Sequence, residues 1–195
     1  MRVLVACEFN GIVRDAFIDR GHDAWSCDLL PTESPGPHYQ DNIFHVLTKT
    51  IYDWDLMIAH PPCTYLTNSG VSWLYRKEGR WNKMREGALF FKHLLEADIP
   101  QICIENPIMH KYAVEIIGRR QDQVIQPWMF GHGETKATCL WLKNLPKLKP
   151  TNIVEGREQR LHYLPPSKDR SKLRSITYPG IAKTMAEQCG KEREQ

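Results

Sequence analysis

Two side chains of this sequence combine a nucleophile with a proton donor. Cys63 follows Pro61 and Pro62 in the stretch AHPPCTYL, and Glu105 lies further along in IENP. A thiolate beside a carboxylic acid in a cleft can add to a polarised ring while the acid supplies a proton. The thiol needs a nearby cation or a helix start to ionise, and the acid needs burial to raise its pKa. A cysteine that simply packs in the core is the alternative interpretation.

A second group of polar residues is placed to bind a nucleotide. Glu8 and Asn10 stand in the turn CEFNG, which leads through Gly11 into a helical pattern, and Asp28 ends the next apolar run. Such a turn can present backbone amides to a ligand, and an acid at the end of the second strand can accept hydrogen bonds from ribose hydroxyls. The turn lacks the full Gly-x-Gly-x-x-Gly pattern, so a dinucleotide is not predicted. A solvated turn with an ordinary helix cap is the other interpretation.

Alternating apolar runs and helical patterns predict the scaffold that positions these residues. Short apolar runs predict strands at 2–6, 22–28, 53–60 and 101–106, and two later ones in DQVIQPWMFG and TCLWLKNL. Helical spacing predicts helices over 12–21, 82–97, 107–118 and 178–189. This alternation implies an α/β fold with a mostly parallel central sheet. The carboxyl ends of parallel strands meet at one edge, so the two polar groups are expected to lie together there.

Composition indicates one globular domain over residues 1–195. Hydrophobic residues make up 42% of the chain and charged residues 25%, which is ordinary for a soluble protein. No apolar run is long enough to span a membrane, and the short apolar start is better explained as a first strand than as a signal peptide. We therefore predict an intracellular protein. The six cysteines contain no Cys-x-x-Cys pair, so free thiols and no metal site are predicted.

Residues 143–175 are predicted to form a basic, loop-rich arm. Ten lysines and arginines lie between Lys136 and Arg174, against three acids, and several prolines interrupt the run. With a net charge of +3, the chain suits a polyanionic partner. Aromatic and basic residues also alternate after the thiol, which fits either base stacking or an ordinary surface helix. They are Trp73, Tyr75, Arg76, Arg80, Trp81 and Lys83.

The order of these motifs resembles the cytosine-5 DNA methyltransferases, in the short form found in phages and prophages. DLMIAHPPC followed by IEN resembles the fourth and sixth motifs of that family, and VACEFNGIVRDAF resembles the first. YQDNIF, ETKATCLWLKNLP and RSITYPGIAKTMAEQ resemble the third, eighth and tenth motifs. The resemblance implies a Rossmann-like methyltransferase fold that binds S-adenosyl-L-methionine and acts on cytosine in DNA.

The resemblance implies catalytic roles for the matched residues. Cys63 would attack carbon 6 of cytosine, and Glu105 would hydrogen-bond the ring and protonate it. Lys136 would occupy the place from which the family directs an arginine at the pyrimidine carbonyl. The nucleophile loop would be supported by Pro61, Pro62 and Asn106.

The resemblance also implies a cofactor pocket assembled from several motifs. The first motif and the following strand would contribute Glu8, Asn10, Gly11 and Asp28. In the third motif, the aspartate that meets adenine in the family falls on either Asp41 or Asn42, and Asn42 is the preferred register. The tenth motif would contribute Pro179.

Three hypotheses about function remain open on the sequence. The family has a long target-recognition region, for which only residues 143–172 are available here. Methyl transfer to DNA is the first hypothesis, and the same chemistry on a free deoxycytidine nucleotide is the second, favoured by the short region. A nucleic-acid-binding relative without turnover is the third, although intact Cys63 and Glu105 favour an enzyme. The sequence does not predict an oligomeric state.

Overall fold

The protein is described from a computed structural model that covers residues 1–50, 53–168 and 170–190, with Ser171 described by its backbone alone. Asp169 of the predicted basic arm and the last five residues of the predicted domain lie outside the described residues. The strands are β1 (Arg2–Ala6), β2 (Asp23–Asp28), β3 (His38–Gln40), β4 (Leu56–Ala59), β5 (Gln101–Asn106), β6 (Gln123–Ile125) and β7 (Thr138–Lys143). The α-helices are α1 (Ile12–Ile18), α2 (Ile43–Thr50), α3 (Arg80–Leu95), α4 (Lys111–Ile117), α5 (Arg170–Ser175) and α6 (Pro179–Cys189). Two 3-10 helices span Asn68–Leu74 and Pro127–Met129.

The strands form one twisted sheet in the order β3-β2-β1-β4-β5-β7-β6. The first five in that order pair in parallel, whereas β7 runs antiparallel to both β5 and β6. The predicted α/β fold with a mostly parallel central sheet is therefore confirmed. Because Asn106 at the end of β5 pairs with Cys139 near the start of β7, the segment before β7 reaches the same edge as the ends of β1, β4 and β5.

Apolar side chains are buried on both faces of the sheet. Leu4 of β1 belongs to the layer packed under α2, α3 and α4, while Val3 and Val5 belong to the layer packed under α1 and α6. Strands covered on both faces are continuous apolar runs in the sequence, which is why RVLVA and LMIA were recognisable. Within the described ranges, no helix is both long enough and apolar enough to cross a membrane.

Several predicted boundaries differ from the structure by a few residues, and two of the differences have a clear physical cause. The segment 29–39, predicted as a loop, contains the start of β3, an edge strand supported by the ring of Tyr39, whose centroid lies 4.9 Å from that of Trp25. The helix predicted from residue 107 begins only at Lys111. The backbone before it pairs instead with the segment after the thiol, through Asn68 N and Ile108 O at 2.9 Å.

The predicted basic arm runs along the body of the protein. Its backbone is largely irregular until α5, and it is held by side chains that it buries, such as Leu148 and Leu161. Leu148 N donates to Gln123 Oε1 at 2.8 Å, and Val154 N donates to Trp128 O at 3.0 Å. These contacts position the second half of the arm over the sheet edge where the polar residues gather.

A buried arginine organises the loop between β2 and β3. The Arg14 side chain has no exposed surface, and its guanidinium donates to Asp15 Oδ1 at 2.8 Å, Ser26 Oγ at 3.1 Å, Thr32 Oγ1 at 3.2 Å and Ser34 O at 3.0 Å. A buried charge is tolerated when it is paired and its donors are satisfied. The loop therefore depends on this one side chain for its conformation.

We expect Arg14→Met to lower the free energy of unfolding by about 3 kcal/mol, because buried acceptors lose their donors. Urea unfolding followed by circular dichroism measures the change. Arg20→Met is the matched control, since Arg20 forms an exposed ion pair with Glu187 and its loss should cost at most about 1 kcal/mol. Equal losses in the two variants would contradict this account of the loop.

Candidate active site

A cavity of about 1000 Å³ lies at the sheet edge where β1, β4 and β5 end. It is lined by most of the residues predicted to do chemistry or to bind a cofactor. These are Glu8, Asn10, Asp28, Pro61, Pro62, Cys63, Glu105, Asn106 and Lys136. The rest of the predicted set, Gly11, Asp41, Asn42 and Pro179, does not line it. Within the described ranges, no three His, Cys, Asp or Glu side chains are grouped so as to hold a metal ion.

The loop that carries Cys63 is fixed by hydrogen bonds on both sides of the thiol. Before it, Pro61 O accepts from Asn106 Nδ2 at 2.9 Å, so the amide side chain at the end of β5 ties the loop to the sheet. After it, Leu66 N and Thr67 N donate to Cys63 O at 3.0 and 3.2 Å. The half-buried sulfur is thus held at the cavity by a loop with little freedom, which lowers the entropic cost of attack.

The environment of the sulfur favours the protonated thiol. Burial raises the pKa of Cys63, the charge of Glu105 also raises it, and the charges of Lys136 and Arg174 oppose the rise without cancelling it. At neutral pH the group is therefore a thiol. The two cations are the groups that stabilise its thiolate when it forms.

We expect Cys63 to react slowly with iodoacetamide at neutral pH and faster as the pH rises, because only the thiolate is alkylated. In Lys136→Met the reaction should be slower still, by several-fold at each pH, since the variant removes a charge that lowers the thiol pKa. Mass spectrometry of the Cys63 peptide measures the rate, and the buried Cys189 serves as an internal comparison. A rate unchanged by Lys136→Met would contradict the assignment.

Glu105 is paired with a histidine that sequence reasoning missed. His60 Nδ1 lies 3.3 Å from Glu105 Oε2, and Thr177 Oγ1 donates to the same oxygen at 3.3 Å. The side chains of His60 and Glu105 are 13% and 10% exposed. The position of His60 could have been noticed in the sequence, because it directly follows β4 and so lies at the edge where β5 ends. Its pairing with Glu105 could not, because the pairing depends on how Pro61 and Pro62 turn the chain.

The pair holds its proton on the histidine. Burial alone would raise the pKa of Glu105, as the sequence suggested, but the hydrogen bond and charge of His60, with the charge of Lys136, outweigh it and lower that pKa. Burial disfavours the charged form of His60, yet Glu105 and the charge of Glu8 outweigh it and raise its pKa. The condition that burial raise the pKa of Glu105 is therefore not met in this structure, because His60 and Lys136 are nearby.

Lys136 lines the cavity because β7 is antiparallel to β5, which places the segment before β7 beside the end of β5. Its backbone N donates to Gln126 Oε1 at 3.0 Å, and its Nζ donates to Ile176 O at 3.2 Å. The same Nζ lies 5.8 Å from the ring centroid of Tyr178. The cation is thus held between the segment before β7 and the segment before α6, within electrostatic reach of Glu105.

Glu8 and Asn10 shape the turn between β1 and α1. The carboxylate of Glu8 is buried and accepts from the backbone N of Val13 at 2.7 Å and of Arg14 at 3.1 Å. Asn10 Oδ1 accepts from Ile12 N at 2.9 Å. Both side chains therefore satisfy amides in the first turn of α1 while they line the cavity.

Gly11 lies directly before α1 and does not line the cavity, whereas Asp28 does. Gly11 has φ +78°, and a Cβ there would lie 2.5 Å from Arg14 Nη2, so both conformation and packing require glycine. Asp28 ends β2 and lines the cavity, with Oδ1 accepting from Leu30 N at 2.9 Å. Phe9, which the sequence did not single out, lines the cavity beside them.

The remaining predicted cofactor residues lie at or just before the starts of helices. Asn42 Oδ1 accepts from Phe44 N at 3.0 Å and so caps the start of α2, whereas Asp41 Oδ1 accepts from Asn42 N at 2.6 Å just before the helix. Pro179 is the first residue of α6. Its near neighbour Thr177 lines the cavity.

The basic arm forms one wall of the cavity. Its lining residues are Gln159, Leu161, His162, Pro166, Ser167, Arg170, Arg174 and Ser175. Glu134 anchors the arm by accepting from Arg160 Nη2 at 3.0 Å and from the Tyr178 hydroxyl at 2.7 Å. At the far end Lys172 pairs with Glu33 in the loop that follows β2. The sequence indicated the charge of the arm but not this position.

Two solved structures have a fold similar to that of this chain. No protein-family description matches the sequence, and no curated protein matches it. A solved structure of a protein encoded within an E. coli prophage and assigned as a DNA modification methyltransferase matches 85% of this chain with 13% identity and a TM-score of 0.51. The Entamoeba histolytica methyltransferase EhMeth matches 86% with 16% identity and a TM-score of 0.51. The matches cover 55% and 60% of those chains, so this chain spans little more than half their length. The chain therefore has the Rossmann-like α/β fold of these two proteins.

Proposed function

We propose that the protein transfers a methyl group from S-adenosyl-L-methionine to carbon 5 of cytosine in DNA, through a covalent adduct with Cys63. The observation that carries the proposal is that Cys63, Glu105 and Lys136 line one cavity at the edge where parallel strands end. The order of the motifs supports the choice of cytosine, and the likeness to the two solved structures supports methyl transfer.

The cavity suits such a cofactor. Its volume, about 1000 Å³, is at the upper end for small-molecule sites and leaves room for a base beside the cofactor. Asp28 would accept hydrogen bonds from ribose hydroxyls, and Phe9 would offer an apolar face. Three buried polar atoms of lining residues, His60 Nε2, Asn106 Oδ1 and Arg170 Nε, have no hydrogen-bond partner among the described residues, which is typical of groups that a ligand completes. When bound, the cofactor supplies an electrophilic methyl group.

The side chains of the cavity provide the remaining chemistry. Cys63 first loses its thiol proton to solvent water, and the thiolate then adds to carbon 6 of cytosine while ring nitrogen 3 takes up the proton held by the His60–Glu105 pair. The ring then carries an enamine, so carbon 5 is nucleophilic and accepts the methyl group. Solvent water removes the carbon 5 proton, the carbon–sulfur bond breaks to release the Cys63 thiolate, and nitrogen 3 returns its proton to the His60–Glu105 pair. Lys136 stabilises the thiolate at the start and the end.

DNA is the proposed substrate because cations line the cavity and continue along the arm. Arg170 and Arg174 join Lys136 in the lining, and such groups neutralise phosphates. We propose that residues 1–195 act as one catalytic domain and that 143–175 replace the target-recognition region of larger relatives. A base in duplex DNA must leave the stack to reach this cavity, which favours flipped or unpaired cytosine.

A free deoxycytidine nucleotide is the second candidate substrate. It is favoured by one observation, namely that the arm forms one wall of the cavity, which suits a small substrate. The first hypothesis and this one share the same chemistry at Cys63, so only the substrate distinguishes them.

The test is covalent trapping with 5-fluorocytosine, because fluorine cannot leave carbon 5 as a proton does. Protein, S-adenosyl-L-methionine and DNA containing 5-fluorocytosine should give an adduct that survives denaturation and maps to the Cys63 peptide. The same reaction with 5-fluorodeoxycytidine monophosphate runs in parallel. An adduct with the nucleotide alone would favour the second candidate. Cofactor binding without adduct or methyl transfer to either substrate would refute the enzymatic proposal.

A further inference from the structure

A second cavity is lined by neighbouring residues of segments that also line the first. It has a volume of about 440 Å³ and is lined by residues that include Asn68, Tyr75, His110, Lys111 and Tyr112. We call it the aromatic pocket. It is lined by none of the candidate catalytic or cofactor-binding residues of the first cavity.

The aromatic pocket shares its wall with the candidate active site. Along the segment after Cys63, Thr67 and Ser69 line the first cavity, whereas Asn68 and Ser72 line the aromatic pocket. After β5 the same division recurs, since Pro107 lines the first cavity and Lys111 lines the second. The two cavities therefore flank the same two segments of the chain. Two binding sites along the same segments suit neighbouring units of one polymer.

The rings of the aromatic pocket are held in place before any ligand arrives. The hydroxyls of Tyr75 and Tyr112 are hydrogen-bonded to each other, and the ring centroid of Trp81 lies 5.5 and 5.0 Å from theirs. The Tyr75 residue is nevertheless 67% exposed. Fixed, exposed aromatic rings bind planar groups at low entropic cost.

The charge around the aromatic pocket suits an anionic ligand. Lys111 Nζ lies 5.0 Å from the ring centroid of Tyr112, and nearby Lys77 Nζ lies 5.0 Å from that of Trp73. Among the described residues that line this pocket, none is acidic. Aromatic rings beside cations are the combination with which proteins bind unpaired nucleic-acid strands.

We propose that the aromatic pocket binds the base of a nucleotide adjacent to the target cytosine in an unpaired strand, with Lys111 near its phosphate. The inference rests on the proposed function for its choice of polymer. It deepens that proposal by predicting a strand of at least two nucleotides as substrate, in preference to a free nucleotide.

Calorimetric titration with cytosine-centred single-stranded trinucleotides tests the proposal, using strands in which one flanking nucleotide is abasic. Removing the base on one side should weaken binding about tenfold in the unaltered protein, which is within the range for loss of one stacked base. In Tyr75→Leu/Tyr112→Leu the same abasic strand should bind no more weakly than the complete one.

The controls separate stacking from folding and from general affinity. Tyr75→Phe/Tyr112→Phe keeps both rings, so the tenfold effect of the missing base should persist. Tyr163→Leu changes an equally exposed tyrosine, 76% exposed, that lines neither cavity, and it should also keep the effect. Insensitivity of the unaltered protein to abasic sites on both sides would overturn the proposal, as would an undiminished effect in the leucine variant.

The titrations require no methyl transfer. If the tenfold effect is present but 5-fluorocytosine gives no adduct, the proposed function fails and the base-binding pocket stands. If the adduct forms but the missing base has no effect, the proposed function stands and the base-binding role of the aromatic pocket fails.

Discussion

Replacing Cys63 by alanine should abolish methyl transfer to DNA. In the proposed mechanism the thiolate makes the bond that activates carbon 5, so its removal should reduce turnover on the order of 10⁶-fold, the size found when another enzyme loses its covalent nucleophile. The variant should still fold, because the half-buried side chain lies at the cavity surface and its loop is held by backbone and Asn106 contacts. Transfer of labelled methyl to a cytosine-containing strand measures the effect.

Cys189→Ala provides the matched control. This thiol lies on α6, is buried in the apolar layer beside α1, and does not line the cavity. Its replacement should leave turnover close to that of the unaltered protein. Turnover by Cys63→Ala above background would mean that another nucleophile carries the adduct, and the covalent mechanism through this loop would then be wrong.

Replacing Glu105 by glutamine should reduce turnover about 10²- to 10⁴-fold, the usual contribution of a positioned proton donor. Glutamine has a similar shape and can still accept from Thr177. However, it carries no charge to hold a proton on His60, whose burial then favours the neutral ring. Glu115→Gln, an exposed substitution on α4, is the control and should change turnover little. Equal activity in the two variants would remove Glu105 from the mechanism.

The same variant should alter how stability depends on pH. The pKa of His60 is raised on folding, so its contribution is complete below its ordinary value of 6.5 and is lost as the pH rises through the raised value. The pKa of Glu105 is lowered, so its contribution is complete above its ordinary value of 4.5 and is lost as the pH falls through the lowered value. The pair thus contributes fully only between those two values. Urea unfolding from about pH 6 to about pH 9 should show a larger loss of stability in the unaltered protein than in Glu105→Gln.

The central sheet was predictable because burial on both faces leaves an uninterrupted apolar run. Residues 2–6 and 101–106 were located to the residue for this reason, and the edge at which their loops meet followed from parallel pairing. The edge strand β3 was not predictable, because its three residues depend on the contact between Tyr39 and Trp25 across strands. The start of α4 was predicted too early, at Pro107, because proline often begins a helix. The helix is capped instead by His110, whose Nδ1 accepts from Ala113 N at 3.1 Å.

The sequence could predict only those residues of the candidate site that lie at or near the ends of strands. Cys63 follows β4 and Glu105 lies at the end of the neighbouring parallel strand β5, so their proximity could be inferred. The partnership of Glu105 with His60 could not, since it depends on side-chain directions within a proline-containing loop. The wall formed by the arm left no periodic signal, because irregular backbone is positioned by individual contacts such as that between Glu134 and Arg160.

The antiparallel β7 has a consequence for the order in which the chain is made. The thiol and its acid belong to the first 106 residues, whereas Lys136, which lowers the pKa of both, and Thr177, which bonds Glu105, come later. A growing polypeptide therefore exposes Cys63 to solvent before Lys136 and Arg174, the two cations that favour its thiolate, have been synthesised. The wall of the cavity is complete only after the carboxyl-terminal third has been made and has docked.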